Sequence, residues 1–159
     1  MNTPLETSGF SPVSAVSRAE LLDHAKHPRN RGELADANVV QEEVNPLCGD
    51  VVKIYAKFKA SENREQGTEG DSVSVQLSAL SFTGNGCLIS QAAASLLTEH
   101  VVGKSTEDIL RMERADVERL LGSTLSPSRV KCAMLALIAL KKALQGDSVQ
   151  AFERASVKE

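Results

Sequence analysis

Three cysteines and one aspartate carry the chemistry that this sequence can offer, and each cysteine stands where an element turns or begins. Cys48 lies in Asn45-Pro46-Leu47-Cys48-Gly49-Asp50, where Pro and Gly hold a tight turn that exposes the thiol and sets a carboxylate two residues on. Cys87 follows Thr83-Gly84-Asn85-Gly86. The two glycines let the chain turn sharply into a helix, whose first amides and dipole favour a thiolate. Cys132 falls in the first turns of a last helix, flanked by Arg129 and Lys131, whose positive charges push the same way. A thiolate is the form that attacks electrophiles and binds soft metals. The set therefore suits sulfur chemistry, zinc or iron-sulfur chemistry, with Asp50 as a harder and more exchangeable ligand. Simple packing is the alternative for each cysteine, most of all for Cys132 beside Ala133 and Met134, and a plain turn role is the alternative for Asp50. The gaps of 39 and 45 residues match no zinc-finger spacing, so a shared site requires the fold to gather distant segments.

The elements that must do the gathering are legible as patterns. Ser17 with Glu20 ahead of Leu21, Leu22 and Ala25 reads as a capping box on a short amphipathic helix ended by Pro28. Strands are expected at Val39 to Val44, Val51 to Ala60 and from Val73 onward. In the second, Val52, Ile54, Ala56 and Phe58 form a buried face and Lys53, Tyr55, Lys57 and Lys59 a wet one. A parity shift at Ala79-Leu80-Phe82 suggests a bulge, and residues 61–72 form a long polar loop. Beyond Gly86, apolar residues from Leu88 to Val101 recur at helical spacing with Gly103 as a stop. Short helices follow to Met112 and to Leu121, and a last one runs from Pro127 to about Leu144. Strands first and helices later, without alternation, give an α+β fold: a small three-stranded antiparallel sheet with helices on one side. The domain spans 17–146, between a mobile arm (1–16) and a frayed tail (147–159).

Composition excludes several classes. The net charge is −3 with no basic block, and Trp is absent beside four Phe and one Tyr. That disfavours nucleic acid, whose binding needs phosphate neutralisation and stacking surfaces. The longest apolar run, Ala133 to Leu140, is eight residues, against the roughly 20 needed to span a bilayer. No signal or transit pattern stands at the start, so the expected compartment is the cytoplasm, where three cysteines stay reduced. His24 and His27 are expected on the surface, and His100 near helix-terminal carbonyls. No Cys-His hydrolase signature is present.

Together the motifs resemble a known family. Asn45-Pro46-Leu47-Cys48-Gly49-Asp50, Gly84-Asn85-Gly86-Cys87-Leu88-Ile89-Ser90 and Arg129-Val130-Lys131-Cys132-Ala133 look like the three cysteine motifs of the IscU/SufU/NifU N-terminal family of iron-sulfur cluster assembly proteins. Leu22-Asp23-His24, Pro28-Arg29-Asn30 and Gly103-Lys104-Ser105 add to the match, which spans about Leu21 to Leu144. The resemblance implies a scaffold, not a turnover enzyme. It would accept sulfur from a cysteine desulfurase, hold a transient [2Fe-2S] cluster or Zn2+ on Cys48, Asp50, Cys87 and Cys132, and pass the cluster to apo iron-sulfur proteins. Cys87 and Cys132 are the candidate persulfide acceptors. The alternative within the family is a zinc-dependent sulfur acceptor of the SufU type. Lys131 matches that type, since scaffold-type members carry His before the third cysteine, while the gap of 45 leaves little room for the SufU-type insertion. The chaperone-docking Leu-Pro-Pro-Val-Lys of scaffold-type members is present only as Leu125-Ser126-Pro127-Ser128-Arg129-Val130-Lys131, which counts against handover to a dedicated Hsp70-type chaperone.

Overall fold

The computed structural model describes residues 18–60, 75–122 and 124–146. The arm, Ser17, the 61–72 loop, Val73 and the tail lie outside them. Helix α1 (Arg18–Lys26) leads into strands β1 (Val39–Val44), β2 (Val51–Ala60) and β3 (Val75–Asn85), followed by helices α2 (Leu88–Val101), α3 (Thr106–Leu110), α4 (Arg114–Leu121) and α5 (Pro127–Gln145). The sheet is an antiparallel meander in the order β1-β2-β3. This is the α+β architecture that the hydrophobic pattern implies.

One face of the sheet is apolar, and the helices cover it. Val52, Ile54, Ala56 and Phe58 of β2 and Leu77, Leu80 and Phe82 of β3 are buried together with Ala92, Ala93 and Leu97 of α2 and Leu137 and Leu140 of α5. Each large aliphatic or aromatic side chain so buried contributes about 1.5–3 kcal/mol. Helix α5 is apolar nearly all round because it packs against both α2 and the β1-β2 pair. Lys142 on its exposed side bonds both Glu43 carboxylate oxygens at 2.8 and 2.7 Å.

The bulge lies one residue before the expected parity shift. Lys57 pairs with Ala79 but Phe58 with Leu77, so Ser78 is the extra residue, and its hydroxyl donates to the Lys57 carbonyl at 3.0 Å. It restores Leu80 and Phe82 to the core face. The free edge of β3 is covered at two points. Gly32 donates to Phe82 O at 2.8 Å and Phe82 N to Asn30 O at 3.0 Å, while Leu77 N bonds Lys104 O at 3.0 Å. A covered edge cannot template pairing with another chain.

Two expectations are corrected. Tyr55 is not on a wet face; it is buried, with Lys53 Nζ 5.8 Å from its ring centre. His24 is not on the surface either: it is 9% exposed, and its Nδ1 lies 2.7 Å from Ser95 Oγ on α2. Ser95 Oγ also accepts from Arg29 N at 2.8 Å, so one hydroxyl fastens both α1 and the turn after it. Burial, with Arg29 nearby, holds the His24 imidazole below its ordinary value. The neutral ring is the form that accepts the serine proton.

Candidate metal centre

Pairing of Val44 with Val51 closes the β1-β2 hairpin around residues 45–50. Asn45 N donates to Asp50 O and Gly49 N to Asn45 O, each at 2.8 Å. This tight loop turns Asp50 inward and Cys48 outward: Asp50 is 7% exposed, whereas Cys48 is exposed beside Leu47, itself 73% exposed.

The end of β3 is brought against the same loop, because Val51 pairs with Asn85 and Val52 with Gly84. Gly84 has φ +138°, and a Cβ there would collide with the Val51 carbonyl oxygen. A Cβ at Gly86 would run into Ser90 Oγ and lie 3.3 Å from Asp50 Cγ. These two glycines let β3 deliver Cys87 beside Asp50. Cys87 is the N-cap of α2, where its sulfur accepts from Ser90 N at 3.5 Å, and Ser90 Oγ donates back to Cys87 O at 3.0 Å. The thiol meets the helix terminus as expected, and it is exposed.

Cys132 arrives from the second turn of α5. Its Sγ lies 3.5 Å from Cys48 Sγ, and the ligand atoms of Cys48, Asp50 and Cys132 all fall within 4.8 Å of one another. Cys87 is not a member of this tightest cluster, but its amide and thiol both face the Asp50 carboxylate. The structure thus brings the four residues to one end of the sheet, three as a compact cluster and the fourth beside the carboxylate.

Electrostatics separate the donors. Burial alone would raise the Asp50 carboxyl, but the Cys87 amide and the Cys87, Cys48 and Cys132 thiols outweigh it and hold the carboxyl below its usual value. Even so, Asp50 Oδ2 is buried with no hydrogen bond of ordinary length among the described residues; the thiols face the carboxylate without closing on it. The Cys132 thiol departs from expectation. Burial first, then Cys48, the Cys87 charge and Asp50, push it up to about 12. Arg129 and Lys131 do not offset this, because both side chains are exposed while Cys132 as a residue is only 9% exposed. Without a metal, Cys132 is a protonated thiol.

The donor set fits a metal. Zn–S bonds of about 2.3 Å in a tetrahedron put two sulfurs about 3.8 Å apart, and the Cys48–Cys132 separation of 3.5 Å is close to that. A buried carboxylate with one oxygen unpartnered, set against two thiols, is a costly arrangement unless a cation completes it. Sequence reasoning singled out all four residues. It missed Ser90, whose amide orients Cys87, and the side chain of Asn45, which contacts Cys132 Sγ at 3.8 Å.

A three-stranded meander backed by helices, with three thiols and a carboxylate converging from separate elements, defines a class of small α+β proteins built around one thiolate-rich centre. This chain belongs to the NifU-like N-terminal domain family, whose model matches residues 17–151. It is 31% identical to the iron-sulfur cluster assembly scaffold protein IscU of Streptococcus pyogenes, over 86% of this chain and 87% of that one. It is 34% identical to the zinc-dependent sulfurtransferase SufU of Bacillus subtilis, over 82% and 90% respectively. Among solved structures, the N-terminal NifU-like protein of Brucella abortus shares the fold, with a TM-score of 0.61 at 17% identity over 89% of this chain and 99% of that one. No helix among the described residues is long and apolar enough to cross a membrane.

Proposed function

We propose that the chain is an assembly scaffold that takes sulfur from a cysteine desulfurase, combines it with iron at Cys48, Asp50, Cys87 and Cys132, and passes the cluster to apo-proteins. The observation that carries this reading is the mixed donor set at an exposed end of the sheet: three thiols with one carboxylate. A structural metal site is normally closed by four strong ligands. A site meant to release its cargo gains from one weak oxygen ligand and from access, and Asp50 beside the exposed Cys48 and Cys87 supplies both.

Each residue has a part. Cys87, exposed at a helix N-terminus, is the first acceptor of sulfur. Its thiolate attacks the outer sulfur of the desulfurase persulfide, a new S–S bond forms at Cys87, and the desulfurase leaves as a thiolate; a small-molecule thiol, oxidised to its disulfide, then supplies the two electrons that release this sulfur as sulfide. Cys48 and Cys132, whose sulfurs lie 3.5 Å apart, would hold iron together, and Asp50 would be the ligand that yields. A reducing compartment such as the cytoplasm keeps all three thiols available for this chemistry.

A second reading, a zinc-dependent sulfur acceptor, is favoured by Lys131, which offers a charge and no imidazole beside Cys132. The two readings part in one experiment. Anaerobic protein is supplied with ferrous iron, a cysteine desulfurase and cysteine, then mixed with an apo-ferredoxin in the presence of a chelator. The scaffold reading expects cluster to form on this chain and reach the ferredoxin despite the chelator. Persulfide on the protein with no cluster at any time, and sulfide output that rises with bound zinc, would replace it with the sulfur-acceptor reading.

A further inference from the structure

Asn45 is 5% exposed, which is rare for an amide side chain at the start of a surface turn. Its two ends are used differently. The Leu47 amide donates to Oδ1 at 3.1 Å, and this fixes which end is oxygen; Nδ2 must then face Cys132 Sγ, 3.8 Å away. A following proline favours extended backbone at Asn45, whose main-chain N–H and carbonyl close the loop through Asp50 and Gly49. One residue therefore anchors the turn that bears Cys48 and Asp50 and reaches across to a sulfur carried by α5.

The geometry points to Asn45 as a positioning residue that holds the Cys132 sulfur toward Cys48 and Asp50 and restrains it through an N–H···S bond. This rests on the metal-binding reading above. An N–H donor draws electron density from a bound thiolate, so the sulfur is less nucleophilic and less ready to leave its metal. Ser128 O, 3.9 Å from the same sulfur, is an acceptor and cannot serve once the thiol proton is lost. Cys87 has a different donor, the Ser90 amide. The inference thus divides labour between two thiols: Cys132 is kept as a quiet ligand, and Cys87 is left to react.

The test uses Asn45→Asp and Asn45→Ser. Both keep an oxygen to accept from Leu47 N, so the turn stays capped, but neither offers N–H to the sulfur; the serine controls for the charge that aspartate adds. Full-length protein is loaded with cobalt(II) as a zinc surrogate. The sulfur-to-cobalt charge-transfer bands are recorded, and alkylation of each cysteine in the loaded protein is timed by mass spectrometry. In both variants the bands should move to lower energy, and Cys132 should alkylate roughly tenfold faster, the low end of what outer partners of metal ligands contribute, while Cys87 is unchanged. Wild-type bands with a wild-type Cys132 rate, or equal acceleration at all three cysteines, would overturn the role of Asn45 while leaving metal binding intact. A wild-type chain that takes up no cobalt would overturn the metal-binding reading and this one with it.

Discussion

Asp50→Ala should keep a reconstituted cluster on the protein longer and slow its delivery to an apo-ferredoxin by on the order of tenfold, the factor that about 1.4 kcal/mol of barrier makes. The reason lies in the donor set. Among the four residues only Asp50 offers oxygen, a poor match for iron already bound by sulfide and thiolate, so it is the position at which an incoming thiol displaces a ligand most easily. Burial at 7% exposure keeps solvent from doing the same prematurely. Alanine also removes the unpartnered buried Oδ2, but it takes away the carboxylate that the Cys87 amide and the thiols stabilise, so the apo-protein should be somewhat less stable at neutral pH. Timed transfer after anaerobic reconstitution of both proteins is the measurement. Delivery by the variant at or above the wild-type rate would remove Asp50 from the release step.

Cys87→Ser should abolish most labelled-sulfur transfer from a cysteine desulfurase, with Cys132→Ser retaining more than half of it in the absence of metal. The Cys87 sulfur is exposed at the start of α2, where the Ser90 amide orients it toward an incoming persulfide. The Cys132 thiol is nearly buried and pushed up to about 12, so at neutral pH its reactive form is scarce. This narrows the pair of acceptors that sequence alone suggests to one. Label lost only in Cys48→Ser, or lost equally in all three variants, would contradict it.

How far the sequence carried is best seen residue by residue. The strand and helix patterns, the three cysteine motifs and Asp50 were legible, because hydrophobic period and turn chemistry are local properties. The burial of Cys132 beside Ala133 and Met134 stood as one alternative, but its effect on the thiol was not legible. Arg129 and Lys131 are neighbours along the chain, but the field at a sulfur is set by what packs over it, and that comes from the 45–50 loop. His24 failed for the same reason: a polar residue on a short helix reads as surface until Ser95, 71 residues away, is seen beneath it. Tyr55 obeys the strand alternation yet is covered all the same, since period 2 separates the two faces without saying whether the second is wet. Asn45 stood within a quoted motif, where Asn before Pro reads as turn chemistry alone; its amide acquires a second use only when α5 folds back.

Metal and sulfide analysis of protein purified without oxygen, wild type beside Cys48→Ser and Cys132→Ser, tests the shared centre most directly. The wild type should hold one centre per chain, either iron with acid-labile sulfide or a single zinc, and both variants should lose that centre while circular dichroism shows the fold retained. A wild-type chain free of iron and zinc, or variants that keep the full metal content, would contradict the assignment of these residues to one metal centre.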